Sequence, residues 1–416
     1  MDSIIQPKGK NIITLSFVFL SLFVFHYGSV IFLGEINSFN KITYAIYAIL
    51  ISLVFFYEKY RSKSKINKSI FQAGLWLIPI YILYSFLINK NSLNLGWFIG
   101  DFIVIWSIIL SILLGSSKKI EILNKDFLDK LMLILFIILL LDFLMIFTIG
   151  TEGKIRSFSR LIIVPSFYIY RYFETKKINN LYIILTCFAL AVISNMRYAF
   201  IVMFLMLMMY SVFYYKERII SFLSFRNISF GFFILFFTTF ILYQNNILQK
   251  WSFYYLFVPA FQGELGIVNV FIGRIYEVQD AYNEHIRHFN IGSIFFGNGL
   301  GASYTPNEWV NFFIKDFSSQ GAVSDNIKRH ILHFGPMRFY FRYGIIGLGL
   351  IFYIIYKNLN HLAISLKNQS FNIGLFFSVT LFLYLLRFPL QPIFNDPMLL
   401  FCLMGFFTYY KKVDND

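Results

Sequence analysis

Long apolar runs, separated by short clusters of charged residues, make up most of the chain. The run over 131–147 is interrupted only by Asp142. Apolar runs of about 18 residues or more are typical of membrane-spanning helices. The pattern predicts spans at about 12–33, 42–56, 71–88, 97–114, 128–149, 161–173, 181–193, 198–215, 230–243, 339–356, 371–386 and 397–410. We therefore predict an all-α, polytopic integral membrane protein with about twelve transmembrane helices.

The composition excludes a soluble globular protein. Of 416 residues, 58% are hydrophobic and 14% are charged, and the mean hydropathy is +0.66. A soluble domain is roughly half apolar and about a quarter charged. Cys187 and Cys402 both lie in apolar runs, so we expect packing residues rather than a disulfide or a metal pair.

Lysine and arginine clusters predict the orientation of the spans. The clusters lie at 8–10, 59–68, 118–125, 176–177, 216–226, 357–367 and 411–412. Twelve spans place all of them on one side, as expected for cytoplasmic loops, so both termini are predicted to be cytoplasmic. The exception is the loop that contains Lys154, Arg156 and Arg160. Much of the net charge of +15 is thus an orientation signal, and we predict no nucleic-acid partner.

This scheme divides the chain into three parts. Residues 1–243 hold spans one to nine, residues 244–338 form a large loop on the non-cytoplasmic side, and residues 339–416 hold spans ten to twelve. A loop of this length is usually functional or disordered. Its aromatic residues disfavour disorder, so we expect short amphipathic helices that lie on the membrane surface.

The loop contains His285, His288, His330 and His333, which form two His-x-x-His pairs. Such pairs share a helix face and can bind a metal. No cysteine or acidic residue stands at a familiar ligand spacing, so we predict no metal site. A solvated, charged ectodomain with incidental histidines is the plainer alternative, but ionisable groups beside a membrane more often mark function.

Two further motifs in this loop carry chemistry. Pro336 suits the first turn of a helix, which places His333 just before the N-terminus of the tenth span. That helix end favours an anion, and Arg338 and Arg342 would share one face near it. A titratable histidine beside a cationic helix end predicts a site that combines a base with bound phosphate.

The second motif is the glycine-rich sequence at 297–301, with Gly297, Gly299 and Gly301. It lacks the spacing and the preceding strand of a dinucleotide-binding fingerprint. A tight turn or a close backbone approach is the expected use.

Together these motifs resemble the bacterial O-antigen polymerase and O-antigen ligase superfamily. Members have about twelve spans and a large, late periplasmic loop. The matching features are Gly273-Arg274 at the start of the loop, the glycines at 297–301, His333 about eleven residues before Gly-Ile-Ile-Gly-Leu at 344–348, Arg197 between two mid-chain spans, and Arg156 or Arg160 after the fifth span.

The resemblance implies a GT-C-like glycosyltransferase of the bacterial inner membrane. Such an enzyme joins oligosaccharide repeat units carried by undecaprenyl pyrophosphate, at the periplasmic face, in lipopolysaccharide biosynthesis. The lipid pyrophosphate leaves, and neither a cofactor nor a metal is implied. Arg274 and Arg197 would bind the pyrophosphate, and His333 would act as the base or bond to phosphate. The other substrate-binding candidates are Arg156, Arg160, His330, Arg338, Gly297, Gly299 and Gly301.

Other functions stay open at this point. An O-antigen ligase would share the motifs, although a residue usage rich in Phe, Ile, Tyr, Asn and Lys is typical of O-antigen gene clusters and favours the polymerase. A lipid-linked oligosaccharide flippase would have a similar span count, but transporters often show paired halves and no internal repeat is evident here. A receptor with a binding ectodomain is the third alternative. A polymerase would also be expected to work with a chain-length regulator protein.

Overall fold

The computed structural model describes residues 68–88, 94–116, 125–149, 161–193, 197–222, 266–287, 289–305, 334–368, 370–386, 388 and 396–413, together with parts of 45–56. Over these residues the chain is all-α. Its helices are α1 (Lys68–Ile88), α2 (Leu95–Gly115), α3 (Lys125–Ile149), α4 (Ile163–Thr175), α5 (Ile178–Ile193), α6 (Arg197–Phe222), α7 (Gly266–Arg287), α8 (Ile291–Phe296), α9 (Gly335–Lys367), α10 (Ile373–Leu385) and α11 (Pro397–Val413).

Helices α1–α6 and α9–α11 coincide with nine of the predicted spans. The spans at 12–33 and 230–243 lie outside the described residues, and 42–56 is helical where it is described. Among the described residues, α2 and α9 are long and apolar enough to cross a membrane. The all-α prediction is confirmed for these residues, and the count of twelve spans stays a prediction.

Asparagine side chains begin several of the helices. Asn94 Oδ1 accepts a hydrogen bond from the backbone N–H of Trp97 at the start of α2, and Asn372 Oδ1 accepts one from Leu375 at the start of α10. Such caps satisfy N–H groups that have no partner within the helix. They therefore fix the residue at which each apolar segment begins.

The core lies where α10 and α11 pack against α2, α4 and α9. Almost every residue of α10 is buried, and its face towards α4 is aromatic, with the rings of Phe376 and Phe167 in edge contact. Ser166 and Thr380 join the same two helices through a hydrogen bond of 2.7 Å. Cys187 and Cys402 are buried free thiols, as predicted for packing residues.

The C-terminal part of α9 continues past 356, where its predicted span ends, to Lys367. This extension carries a buried polar face formed by Asn358, His361 and Ser365. Asn358 Nδ2 donates to the backbone carbonyl of Ser378 on α10. Because these side chains pack against other helices, the helix extends beyond its continuous apolar run.

Charged side chains join the N-terminal end of α3 to the C-terminal end of α4. Arg171 pairs with Asp129 at 2.9 Å and with Glu174 at 2.5 Å, and Lys125 also pairs with Glu174. Burial alone would raise the pKa of Glu174, which lies beyond the predicted span 161–173. Hydrogen bonds from Lys125, Arg171 and Tyr170 outweigh that effect and hold its pKa below the usual range.

The predicted large loop contains α7 and α8. Helix α7 packs against the beginning of α9, and α8 packs against both α9 and α1. Asn290 and Ser293 form a reciprocal capping box at the start of α8, the arrangement that satisfies two N–H groups at once. The two helices and the turn that follows α8 thus lie against the ends of three longer helices.

Candidate functional site

Helix α9 is broken near its beginning. Gly344 has φ 60° and ψ −158°, a conformation that is open almost only to glycine. The break separates residues 335–343, which we call the head segment, from the long remainder of α9. Pro336 lies in the first turn of the head segment, as the sequence predicts.

A broken helix leaves backbone carbonyls without their usual partners, and two residues of other segments supply new ones. The backbone N–H of Asn298 donates to the carbonyl of Phe341 at 2.7 Å. The hydroxyl of Tyr81, on α1, donates to the carbonyl of Tyr343. The break is therefore satisfied by contacts within the protein, and those contacts come from two different parts of the chain.

The residues 297–301, which we call the glycine turn, make the close backbone approach that the sequence predicts. Gly297, Gly299 and Gly301 all have positive φ. A Cβ at Gly297 would lie 2.6 Å from the carbonyl oxygens of Tyr340 and Phe341. A Cβ at Gly344 would lie 2.3 Å from the carbonyl of Phe295. The turn and the break in α9 therefore fit together backbone against backbone.

The glycine turn uses its N–H groups to dock on α1 and α2. The N–H of Leu300 donates to Ser85 Oγ at 2.7 Å, and the N–H of Gly301 donates to Asp101 Oδ2 at 2.9 Å. From the other side, Tyr84 donates its hydroxyl proton to the carbonyl of Gly297. These amides serve to hold the turn in place, and a direct role of the glycines in substrate binding stays a prediction.

Asp101 and Arg342 form a buried ion pair beside this turn. Arg342 Nη1 donates to Asp101 Oδ1 at 2.6 Å, and the two side chains are 1% and 2% exposed. Asp101 also accepts from Gly301, and its backbone carbonyl accepts from the Tyr343 hydroxyl at 2.9 Å. One carboxylate thus joins α2, the glycine turn and the head segment.

More ionisable side chains are buried around the head segment. Arg338 lies one turn before Arg342 and is 9% exposed. Glu277 and Asp280 are buried on α7, which contacts the head segment through Ala281 and Phe341. Buried charges are costly unless they are paired or bind a ligand, so this concentration of them marks a candidate site.

Helix α7 reverses the usual distribution of polar and apolar residues. Its buried side chains include Glu277, Asp280 and His285, whereas Ile275, Tyr282 and Ile286 are 64%, 53% and 51% exposed. A helix in water buries its apolar face. The reversed pattern is expected for a helix whose polar face lines a site and whose other face meets an apolar environment.

His285 lies between two polar partners. Its Nδ1 is 2.6 Å from Asn298 Oδ1, in the glycine turn. Its Nε2 is 3.2 Å from the hydroxyl of Tyr340, in the head segment. The imidazole is buried and Tyr340 is half-buried, so the three side chains form a chain of hydrogen bonds that leads from the interior towards the surface.

The structure describes only some of the residues predicted to act. Gly297 lies against the backbone of the head segment, which contains Arg338, and Gly299 and Gly301 belong to the same turn, with Gly301 against Phe98 on α2. Arg274 lies within α7 and Arg197 is the first residue of α6, both described by their backbone alone. The predicted residues outside the described part of the chain are His330, His333, Arg156 and Arg160. Their roles stay predictions.

Sequence reasoning missed several residues of this site. Asp101 gave a signal, because a carboxylate within an apolar run is expected to face inward and to pair, but its partner could not be identified. Ser85, Tyr81 and Tyr84 gave none, since small polar and aromatic residues are common near the ends of apolar helices. The sequence indicates His285 only as half of a metal-binding pair. Within the described residues, no three His, Cys, Asp or Glu side chains are grouped to hold a metal.

No family model, curated protein or solved structure matches this chain.

Proposed function

We propose that this chain is an O-antigen polymerase, an inner-membrane glycosyltransferase that joins oligosaccharide repeat units carried by undecaprenyl pyrophosphate. The observation that carries the proposal is the position of Arg338 on a short helical segment, beside a break that is held by the glycine turn. This part of the chain contains the motifs on which the resemblance rests. A guanidinium group binds phosphate oxygens two at a time, and the beginning of a helix favours an anion.

The surroundings favour a lipid-linked substrate. Apolar side chains such as Trp76, Leu83 and Leu87 on α1 are more than half exposed, and so is the outer face of α7. Such surfaces are stable in contact with lipid. A donor carried on a membrane lipid would approach the polar residues of the head segment from this apolar surface.

The proposed reaction needs only groups that a protein chain supplies. The bond between the donor sugar C1 and the pyrophosphate oxygen breaks, a bond forms between C1 and the acceptor hydroxyl oxygen, and the acceptor proton is taken up by a base. The electron pair of the broken bond stays on the lipid pyrophosphate, so cations at that oxygen lower the barrier. We assign this task to Arg274 and Arg197, with Arg338, Arg156 and Arg160 as further phosphate ligands.

His333 has two possible tasks in this scheme. It takes the proton of the acceptor hydroxyl or it bonds to phosphate, with His330 as the second candidate for the same role. The acceptor is the non-reducing end of a new repeat unit. A ligase would use the same donor and the same cations, and would differ in the acceptor, which would be lipid A–core.

The test is the lipopolysaccharide ladder of a strain that lacks the gene, complemented with variants of matched expression. Arg338→Gln removes a cation from the head segment. Lys357→Gln is its matched control, because Lys357 lies on the same helix and contacts Tyr410, far from the break. We expect the deletion and Arg338→Gln to leave lipid A–core with a single repeat unit, and Lys357→Gln to restore the ladder.

Other results would contradict the polymerase. Polymer that accumulates on its lipid carrier at the periplasmic face of the inner membrane would mean a ligase. Repeat units that remain on the cytoplasmic side would mean a flippase. An unchanged ladder in the deletion strain would exclude all three activities and favour a receptor.

A further inference from the structure

The hydrogen bonds of His285 fix which ring nitrogen carries a proton. The oxygen of an asparagine amide can only accept, so Nδ1, at 2.6 Å from Asn298 Oδ1, is the protonated nitrogen. In the neutral imidazole the other nitrogen then has a free electron pair. That nitrogen, Nε2, is the one that faces the hydroxyl of Tyr340 at 3.2 Å. The hydroxyl of Tyr340 is thus aimed at a proton acceptor.

The two residues that bond to His285 are both tied to the head segment: Tyr340 belongs to it, and Asn298 is hydrogen-bonded to it. Asn298 is fixed in the glycine turn by the hydrogen bond from its backbone N–H to the carbonyl of Phe341. Phe341 is the residue next to Tyr340. The rings of His285 and Tyr340 are also in contact, with centroids 5.1 Å apart. The glycine turn and the head segment, which carry the two partners of His285, are therefore joined by a backbone hydrogen bond.

His285 and Tyr340 differ in burial, and this difference indicates which of the two side chains can meet a substrate. His285 is 2% exposed, so substrate cannot reach it directly, whereas Tyr340 is only half-buried. A reacting group, a base hydrogen-bonded to it, and a third residue that orients the base form the usual arrangement of an activated hydroxyl in enzymes. Here the three parts are Tyr340, His285 and Asn298.

We propose that Tyr340 and His285 form a proton relay that takes the proton of the acceptor hydroxyl; this inference rests on the proposed function. As the acceptor oxygen bonds to C1 of the donor sugar, its proton passes to the Tyr340 oxygen, and the Tyr340 proton passes to Nε2 of His285. The lipid pyrophosphate leaves with the electron pair of the broken bond. The relay returns its proton to water after the product has left.

The relay decides between the two tasks of His333. Tyr340 is then the catalytic residue at the acceptor and His285 is the base behind it. Because the role of base is filled, we assign His333 to the pyrophosphate. Asn298 is a positioning residue, since it acts only by holding the imidazole in one tautomer.

Other titratable and charged groups surround the imidazole. On α7 itself these are Asp280 and Glu284, the latter 3.7 Å from Arg287. From the head segment the contacting titratable group is Tyr340, and Tyr84 contacts the glycine turn from α1. Any pH dependence assigned to His285 must therefore be shown to disappear with that side chain.

Tyr84 provides a matched control for a purely structural role. Its hydroxyl bonds to the carbonyl of Gly297 and to Asn290 Oδ1, both at 3.1 Å. Tyr84→Phe thus removes hydrogen bonds at the same glycine turn without touching the relay. If the Tyr340 hydroxyl merely stabilises the turn, the two tyrosine variants should behave alike.

The experiment is a polymerisation assay with the full-length protein in lipid nanodiscs. The substrate is the pool of undecaprenyl-pyrophosphate-linked repeat units extracted from cells that lack the gene. Rates of chain lengthening are measured between about pH 5 and 9 for the wild type, Tyr340→Phe, His285→Gln, the double variant and Tyr84→Phe. Size-exclusion profiles and thermal unfolding identify variants that do not fold.

We expect the wild-type rate to fall towards acid pH, because a protonated His285 accepts no further proton. Tyr340→Phe and His285→Gln should each lower the rate about 100-fold and should lose this acid-side fall. The double variant should be no slower than either single variant, because the two side chains act as one unit. Tyr84→Phe should keep most of its rate and the whole acid-side fall.

Two results would overturn the relay while leaving the polymerase intact. One is a Tyr340→Phe rate within about threefold of the wild type. The other is an equal loss in Tyr84→Phe and Tyr340→Phe with the acid-side fall preserved in both. A folded wild-type protein that lengthens no chain at any pH would overturn the proposed function, and the relay with it.

Discussion

Asp101 and Arg342 are 241 positions apart in the sequence and form an ion pair of 2.6 Å in which both side chains are almost fully buried. Removing one partner of a buried pair leaves an unpaired charge in a poorly solvated place, which costs about 3–5 kcal/mol. The contribution of each residue to the free energy of unfolding therefore depends strongly on the presence of the other.

We expect Asp101→Asn and Arg342→Met each to destabilise the protein by about 3 kcal/mol. The double variant should be destabilised by clearly less than the sum, because it has no unpaired charge, and the oxygen of the introduced amide would still accept the N–H of Gly301. Thermal unfolding in detergent, followed by tryptophan fluorescence, measures the three variants. Strictly additive losses would show that the two side chains are not coupled.

Gly344→Ala should prevent correct folding around the break in α9. An alanine at φ 60° and ψ −158° is strained by about 2 kcal/mol or more, and its Cβ would collide with the carbonyl of Phe295. Gly349→Ala is the control on the same helix, since a Cβ there meets nothing within 4 Å. Fluorescence-detected size exclusion should show loss of the monodisperse peak for Gly344→Ala only.

The lowered pKa of Glu174 predicts a stability contribution that depends on pH. A carboxylate with a lowered pKa in the folded state stabilises above its unfolded pKa, and the contribution is lost as the pH falls through the folded value. Glu174→Gln should therefore lower the unfolding temperature at pH 7, by an amount that corresponds to about 1 kcal/mol. The difference from the wild type should shrink as the pH falls below about 4, and a difference that stays constant would contradict the assignment.

His333→Ala separates binding of the donor from proton transfer. If His333 bonds to the pyrophosphate, the variant should raise the KM for the lipid-linked donor about tenfold and should keep the fall of the rate towards acid pH. Steady-state rates at varied donor concentration and pH provide the measurement. Loss of the acid-side fall in this variant would return the role of base to His333.

The sequence predicts the helices of the described residues well, but it does not predict the break within α9. Continuous apolar runs identify a helix without reference to its neighbours, and α2 ends within a residue or two of its predicted bounds. The break at Gly344 was not predicted, since Gly-Ile-Ile-Gly-Leu also suits the interior of a span. Its backbone conformation depends on the carbonyl of Phe295 and on Gly297, which only the tertiary structure brings near.

Several residues of the candidate site could be predicted from the sequence, but the contacts between them could not. The sequence indicated the glycine turn and Arg338. The pairing of Asp101 with Arg342, and the position of His285 between Asn298 and Tyr340, arise from packing between distant segments. The polar extension of α9 shows the same effect, because the buried Asn358 donates to the carbonyl of Ser378 on α10.

The interruption at Gly344 separates the part of α9 that is apolar enough for a bilayer from the head segment, which carries the guanidinium groups. The long remainder of α9 carries the apolar residues that suit a bilayer, whereas the head segment is held by hydrogen bonds from Asn298 and Tyr81 and by Asp101. The depth and the tilt of its guanidinium groups are consequently set by the glycine turn and the neighbouring helices. Changes in the sequence of the glycine turn can therefore shift these cations while the long remainder of α9 stays as it is.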